Sequence, residues 1–207
     1  MRSPLGSFWM PGRYFDGANA TTGLNLLTGV GALYCALHQR LGLSLLLLFV
    51  AVLLDHLDGY LARRFYAGHV LRRAFGKQFD TLADLLNFNL LPAVQLLMLI
   101  PRQATLGVAA ALVLFGAVRL AHFTLESAVT PQPPLGLPTT YAGFLLLNLM
   151  MLQRANHLEA GLLLLLAAGI ALLQVVCVPV RLPAGVLGPL GLGLLFLLNF
   201  AFCGFPV

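Results

Sequence analysis

Four aspartates are the residues in this chain best placed to do chemistry. Asp55 and Asp58 lie three positions apart, Asp80 and Asp84 four, and together they make up four of the seven acidic residues. On a helix those spacings put each pair on one face, and a reversal of the chain between them brings the pairs opposite one another. Four carboxylates held together repel, so protons or bound cations must offset their charge. Hard carboxylate oxygens from two helices suit Mg²⁺ or Mn²⁺, and two such ions nearly balance the four charges. That arrangement clamps a diphosphate and stabilises attacking and leaving oxygens together. Small residues flank the acids: Gly59 and Ala62 leave room for a ligand near the backbone. Arg63 offers a planar charged fork for phosphate oxygens. Gly76, one turn before Asp80, is expected to keep the opposite wall open. The competing reading, two polar helix ends exposed to water, suits a single Asp-x-x-Asp better than four acids with these neighbours.

The elements that position these acids have to be membrane helices. The chain has 207 residues, 59% of them hydrophobic and 9% charged, more apolar surface than one soluble core can hide. Solid apolar runs predict six or seven spans, at about 21–38, 43–63, 79–100, 104–125, 136–152, 159–178 and 184–204, each near the ~20 residues that cross a bilayer. Helices are required because hydrocarbon offers no partner to an unpaired backbone group. The first run is the weakest, diluted by Gly23, Gly29 and Gly31, which would also permit close helix packing. No internal repeat or linker divides the chain. The prolines Pro131, Pro133, Pro134 and Pro138 mark one loop, and Pro179 and Pro183 another.

Charge sets the expected orientation. The net charge is +5, and Arg63, Arg64, Arg72, Arg73 and Lys77 concentrate between the second and third spans. The positive-inside rule places that loop and the N-terminus in the cytosol. The same patch suits anionic lipid head groups or a diphosphate. Residues 1–18 carry no signal-peptide pattern, so the first span is expected to be the anchor, with Phe8 and Trp9 at the interface. Cys35, Cys177 and Cys203 read as buried thiols. The sequon Asn19-Ala20-Thr21 is cytosolic on this topology and therefore unmodified. Nothing points to a nucleic-acid partner. A transporter is disfavoured, since the acids sit at helix ends rather than in broken helices at mid-membrane.

The string Asp55-His-Leu-Asp58-Gly59-Tyr-Leu-Ala62-Arg63, followed by Gly76-x-x-x-Asp80-x-x-x-Asp84, resembles the signature of the CDP-alcohol phosphatidyltransferases. The flanks are most similar to the branch that transfers to serine: Asp84-Leu-Leu-Asn-Phe-Asn-Leu-Leu-Pro92-Ala93, Arg119-Leu-Ala-His-Phe123, Gly136-Leu-Pro138 and the opening Asn19-Ala-Thr-Thr22-Gly-Leu-Asn25. The resemblance covers roughly residues 18–183. It implies an all-α integral membrane fold with a six-helix bundle over 19–183, a homodimer and a cytosol-facing cavity, to which the apolar run adds an expected seventh transmembrane helix over 184–207. It implies that Asp55, Asp58 and Asp80 hold two divalent ions, Mg²⁺ or Mn²⁺. Asp84 would contribute a ligand and take the proton of the acceptor hydroxyl. Asn19, Thr22, Gly59 and Arg63 would line the site for CDP-diacylglycerol, with Ala62 and Gly76 beside them. The membrane would be the endoplasmic reticulum in a eukaryote and the inner membrane in a bacterium.

Some positions depart from that pattern. Twelve residues separate Arg63 from Gly76, more than is usual in the family. An added helical turn would preserve both aspartate faces, whereas a looped insertion would shift them. Arg73 replaces a hydroxyl residue, Ala18 replaces a proline, and His122, replacing an arginine, is expected to be a packed helix residue. Serine is the favoured acceptor. Inositol, glycerol phosphate, a CDP-amino-alcohol donor and a catalytically silent lipid-binding relative remain the alternatives.

Overall fold

The computed structural model describes residues 16–65, 70–129, 136–176 and 187–203. Phe8, Trp9, Pro131, Pro133, Pro134, Cys177, Pro179 and Pro183 lie outside the described residues.

The described chain is all helix: α1 (Gly17–Leu37), α2 (Leu41–Phe65), α3 (Val70–Asp84), a π-helical turn (Leu85–Leu90), α4 (Leu91–Leu99), α5 (Gln103–Val129), α6 (Thr139–Arg154), α7 (Ala160–Val175) and α8 (Leu187–Cys203). Asp16 starts α1 as its N-cap, its carboxylate accepting from the Asn19 N–H at 2.9 Å, as a short acidic side chain does for an orphan amide. Gln39 takes a left-handed conformation (φ 60°), and the N–H of Arg40 returns to Cys35 O at 2.8 Å. This tight connection folds α2 back along α1.

α3, the π turn and α4 form one unbroken rod. Pro92 explains the irregularity inside it. Proline has no N–H to give to Phe88 O four residues back, and its ring crowds that carbonyl. The helix widens there instead, with the Leu91 N–H bonded to Leu86 O in the i to i−5 manner. Asn87, Phe88 and Asn89 are consequently all buried, each against a different neighbour where a glycine makes room. A Cβ on Gly29 of α1 would overlap Asn87, and one on Gly116 of α5 would overlap Asn89. On Gly143 of α6 it would come within 3.1 Å of Phe88. The Asn87 amide donates to both Asn25 O and Asn25 Oδ1 at 2.9 Å. The expected close packing at the glycines of the first span is found at Gly29, while Gly31 makes only an ordinary contact with Leu47.

Four helical segments are long and apolar enough to cross a membrane: Gly17–Leu37, Leu41–Arg64, Arg72–Leu99 and Gln103–Leu125, the first being the least apolar. Among the described residues, α6, α7 and α8 comprise 16, 16 and 17 residues, beside the ~20 of a full crossing. Punctuation shortens α6: Pro138 precedes it, and Asn156 in a left-handed conformation (φ 61°) follows it. α8 docks on α6 and α2 through the Asn199 amide, which donates to Asn148 O at 3.1 Å, and through Phe196, stacked on Phe49 at 3.8 Å. Large apolar side chains such as Leu27, Leu106, Leu165 and Leu197 are exposed on the outside, the surface that an all-α membrane protein offers to lipid.

Candidate active site

Asp55 and Asp58 lie toward the C-terminal end of α2, and Asp80 and Asp84 close α3 just before the π turn. The described residues between Arg63 and Gly76 are helical, since α2 continues to Phe65 and α3 begins at Val70. The two helices therefore keep both aspartate pairs turned toward one region. Carboxylate oxygens of Asp55, Asp80 and Asp84 all lie within 4.8 Å of one another. Asp58 is not part of that trio. It is buried and accepts from Thr22 Oγ1 of α1 at 2.6 Å.

Two further hydroxyls come from the first turn of α6. Thr139 Oγ1 donates to Asp84 Oδ2 at 3.1 Å, and Thr140 Oγ1 to Asp55 Oδ2 at 3.0 Å. Three aspartates thus each receive a threonine hydroxyl, and the positive end of the α6 dipole sits beside two of them. The remaining oxygens Asp80 Oδ1 and Asp84 Oδ1 are buried with no hydrogen-bond donor among the described residues. Buried orphan acceptors are uncommon. Hard oxygens that converge and lack protein donors fit a divalent cation. On α2, His56 Nδ1 lies 2.8 Å from Val52 O and 3.9 Å from Asp55 Oδ2. Because a carbonyl only accepts, Nδ1 carries the hydrogen.

Two cavities of about 600 and 570 Å³ meet at this cluster and share Asp58, Gly59, Arg63, Asp80 and Phe123 as lining. The first is walled by Asp55, His56, Tyr60, Asp84, Arg119 and the Pro138–Thr140 turn. The second contains all six residues that the sequence nominates for substrate: Asn19, Thr22, Gly59, Ala62, Arg63 and Gly76. Arg72, Arg73 and Lys77 add cationic charge to it, so the basic segment lines the cavity as well as connecting helices.

The structure differs from the sequence reading at Gly76 and His122. Gly76 does not leave an open wall: a Cβ there would overlap Asn19 Oδ1, so the missing side chain is what admits Asn19 between α1 and α3. His122, expected to be a packed helix residue, is exposed, as are Ala121, Phe123 and Leu125 of the same helix end. The sequon is structural in its setting, since Asn19 is buried. Cys35 is buried, and Cys203 is half-buried with Sγ donating to Asn199 Oδ1 at 3.1 Å. Sequence reasoning missed Thr139 and Thr140. Their only signal is a pair of hydroxyl residues opening an apolar helix straight after a proline.

The family profile for CDP-alcohol phosphatidyltransferase matches residues 16–180. Among curated proteins, the chain is 28% identical over 147 residues to the CDP-diacylglycerol–serine O-phosphatidyltransferase of Helicobacter pylori, covering 69% of this chain and 60% of that one. It is 31% identical over 104 residues to the archaetidylserine synthase of Methanothermobacter thermautotrophicus, covering 49% and 44%. It is 28% identical over 140 residues to the CDP-diacylglycerol–serine O-phosphatidyltransferase of Bacillus subtilis, covering 66% and 76%. The aspartate motif, the membrane helices and this match agree, and the chain belongs to the CDP-alcohol phosphatidyltransferase family.

Proposed function

We propose that this protein transfers a phosphatidyl group from CDP-diacylglycerol to an alcohol, with serine as acceptor, and releases CMP. The observation that carries the reading is the placement of the acidic cluster where two cavities meet, one of them lined by every residue nominated for the nucleotide-lipid. In this reading Asn19, Thr22, Gly59, Ala62 and Gly76 shape the donor cavity, and Arg63 holds the diphosphate by bidentate hydrogen bonds. Asp55, Asp58, Asp80 and Asp84 hold two divalent ions, Mg²⁺ or Mn²⁺. When bound, these ions neutralise the diphosphate and make CMP a better leaving group.

The protein's own side chains supply the rest. The acceptor enters the other cavity, and its hydroxyl oxygen attacks the phosphorus that bears the diacylglycerol group. The bond between that phosphorus and the oxygen of CMP breaks, and Asp84 takes the hydroxyl proton. Thr139 and Thr140 fix the rotamers of Asp84 and Asp55, so that carboxylate oxygens not held by threonine face the reacting groups. Apolar helix faces keep the acyl chains in the bilayer while the cytosolic side admits the alcohol and releases CMP. The same resemblance supports a homodimer, which mass measurement of the detergent-solubilised protein checks.

The test is product identification. Purified protein with CDP-diacylglycerol, Mn²⁺ or Mg²⁺ and separate serine, inositol and glycerol 3-phosphate arms is analysed by lipid mass spectrometry. Phosphatidylserine as the dominant product supports the reading. A phosphatidylinositol or phosphatidylglycerophosphate product overturns the choice of acceptor, and no new lipid in any arm overturns the activity.

A further inference from the structure

Thr139 and Thr140 open α6, and a helix end frays unless something ties it down. The residues just before them are latched to the last turn of α7. The Leu137 N–H donates to Leu173 O at 2.8 Å. Gly136 is buried with φ at 74°, a left-handed conformation that disfavours any L side chain. A Cβ there would overlap Gln174 O and come within 3.0 Å of the Gln174 carbonyl carbon. Gln174 is 1% exposed, and a backbone carbonyl cannot swing aside as the tip of a side chain does. α7 ends at Val175, so Leu173 O and Gln174 O belong to the last-turn carbonyls that their own helix leaves without a donor. The latch therefore satisfies an orphan of α7 and fixes the start of α6 in one contact. Pro138, at φ −59° and ψ 143°, then leads directly into the two threonines, whose hydroxyls reach Asp84 and Asp55.

We infer that Gly136 is a positioning residue for the metal site. By letting the chain sit directly on the carbonyls of α7, it holds Thr139 and Thr140 at hydrogen-bond distance from Asp84 and Asp55, and so sets the carboxylate orientation that a divalent ion meets. The inference rests on the reading of these aspartates as metal ligands and extends their support to a further helix. α2 and α3 supply the carboxylates, α6 orients them, and α7 fixes the start of α6. A side chain at position 136 lifts the strap from α7 and carries both hydroxyls away with it. Removing a group that orients a metal ligand lowers metal affinity by about 10- to 100-fold, so the loss appears in ion binding and not in stability alone.

Mn²⁺ binding to the detergent-solubilised protein, without donor or acceptor and read by electron paramagnetic resonance of the free ion, tests this apart from turnover. Gly136→Ala should raise the Mn²⁺ Kd by about 10-fold or more. Thr139→Val combined with Thr140→Val keeps the shape and removes both hydroxyls, and should raise Kd by about 10- to 100-fold. Adding Gly136→Ala to that pair should change Kd by less than about 2-fold, because the route is already cut. Ser44→Ala, which breaks the buried bond from Ser44 Oγ to Ala32 O near the other end of α2, is the stability control and should leave Kd where it was. An unchanged Kd in Gly136→Ala, whatever its melting temperature, overturns the inference. So does a fully additive effect in the triple variant, or an equal rise of Kd in Ser44→Ala. Absence of Mn²⁺ binding by the unmodified protein overturns the metal reading and the inference together. If Gly136→Ala does not fold, hydrogen exchange in the unmodified protein decides. Reciprocal coupling requires Mn²⁺ to slow exchange of the Leu137 amide by about 10-fold, the same factor as in Kd, and exchange indifferent to Mn²⁺ overturns the inference.

Discussion

Replacing Gly76 by alanine tests how the donor cavity is built. The added Cβ overlaps Asn19 Oδ1 and comes within 3.4 Å of its Cγ. Asn19 is 4% exposed and its backbone N–H is held by Asp16, so the side chain has little room to retreat. Two effects of opposite sign compete. Alanine raises the helix propensity of α3 by about 1 kcal/mol, while forcing a contact in a packed interior costs about 1–3 kcal/mol. The overlap should win, giving a net loss of up to about 2 kcal/mol. Displacement of the Asn19 amide should raise the KM for CDP-diacylglycerol about tenfold, a little over one hydrogen bond. The double mutant separates these effects. In Asn19→Ala the opposing side chain is gone, so adding Gly76→Ala should stabilise the protein by about 1 kcal/mol, a coupling of about 1–3 kcal/mol between the sites. Donor KM should stay high in the double mutant, because Asn19 itself is missing. Thermal unfolding in detergent and CMP-release kinetics read both quantities. Additive effects of the two substitutions on stability would refute the packing reasoning.

Three other outcomes are expected. Asp84→Asn should lower CMP release by about 10²- to 10⁴-fold, the range for loss of a general base, while donor binding persists because an amide fills the same space; unchanged release would remove Asp84 from that role. Asp58→Asn should raise the Mn²⁺ concentration for half-maximal activity and the donor KM together, measured by metal titration, since Asp58 lines both cavities; a change in neither would place it outside the metal site. Phe8→Cys and Tyr66→Cys, each in a cysteine-free background, should react with an impermeant maleimide only from the cytosolic side, as five basic residues in the connecting segment resist translocation.

The convergence of the acids was legible in the sequence because its information is local. Spacings of three and four on two neighbouring helices specify a face, and an expensive cluster of carboxylates in an apolar chain needs a ligand to justify it. The continuation of α2 to Phe65 and the start of α3 at Val70 preserved that phase, as an added turn would. The threonine collar was not legible, because Thr139 and Thr140 reach partners 55 and 85 residues away, and no periodicity links them. The π turn has a visible cause in Pro92 but no pattern that distinguishes a widened turn from a kink. Gly76 shows the limit of reasoning from side-chain size: a missing side chain creates space, and only the fold decides whether ligand or Asn19 occupies it. α6 is shorter than its apolar run because Pro138 precedes it and the left-handed Asn156 follows it, which hydropathy does not register.

The stoichiometry of CMP and phosphatidylserine formed by the purified protein, with CDP-diacylglycerol, L-serine and Mn²⁺ and then after chelation, tests the central proposal most directly. One CMP for each phosphatidylserine, abolished by chelation and restored by added Mn²⁺ or Mg²⁺, is the predicted result. Neither CMP nor phosphatidylserine at any metal concentration, from protein that still unfolds cooperatively and binds the donor, would contradict it.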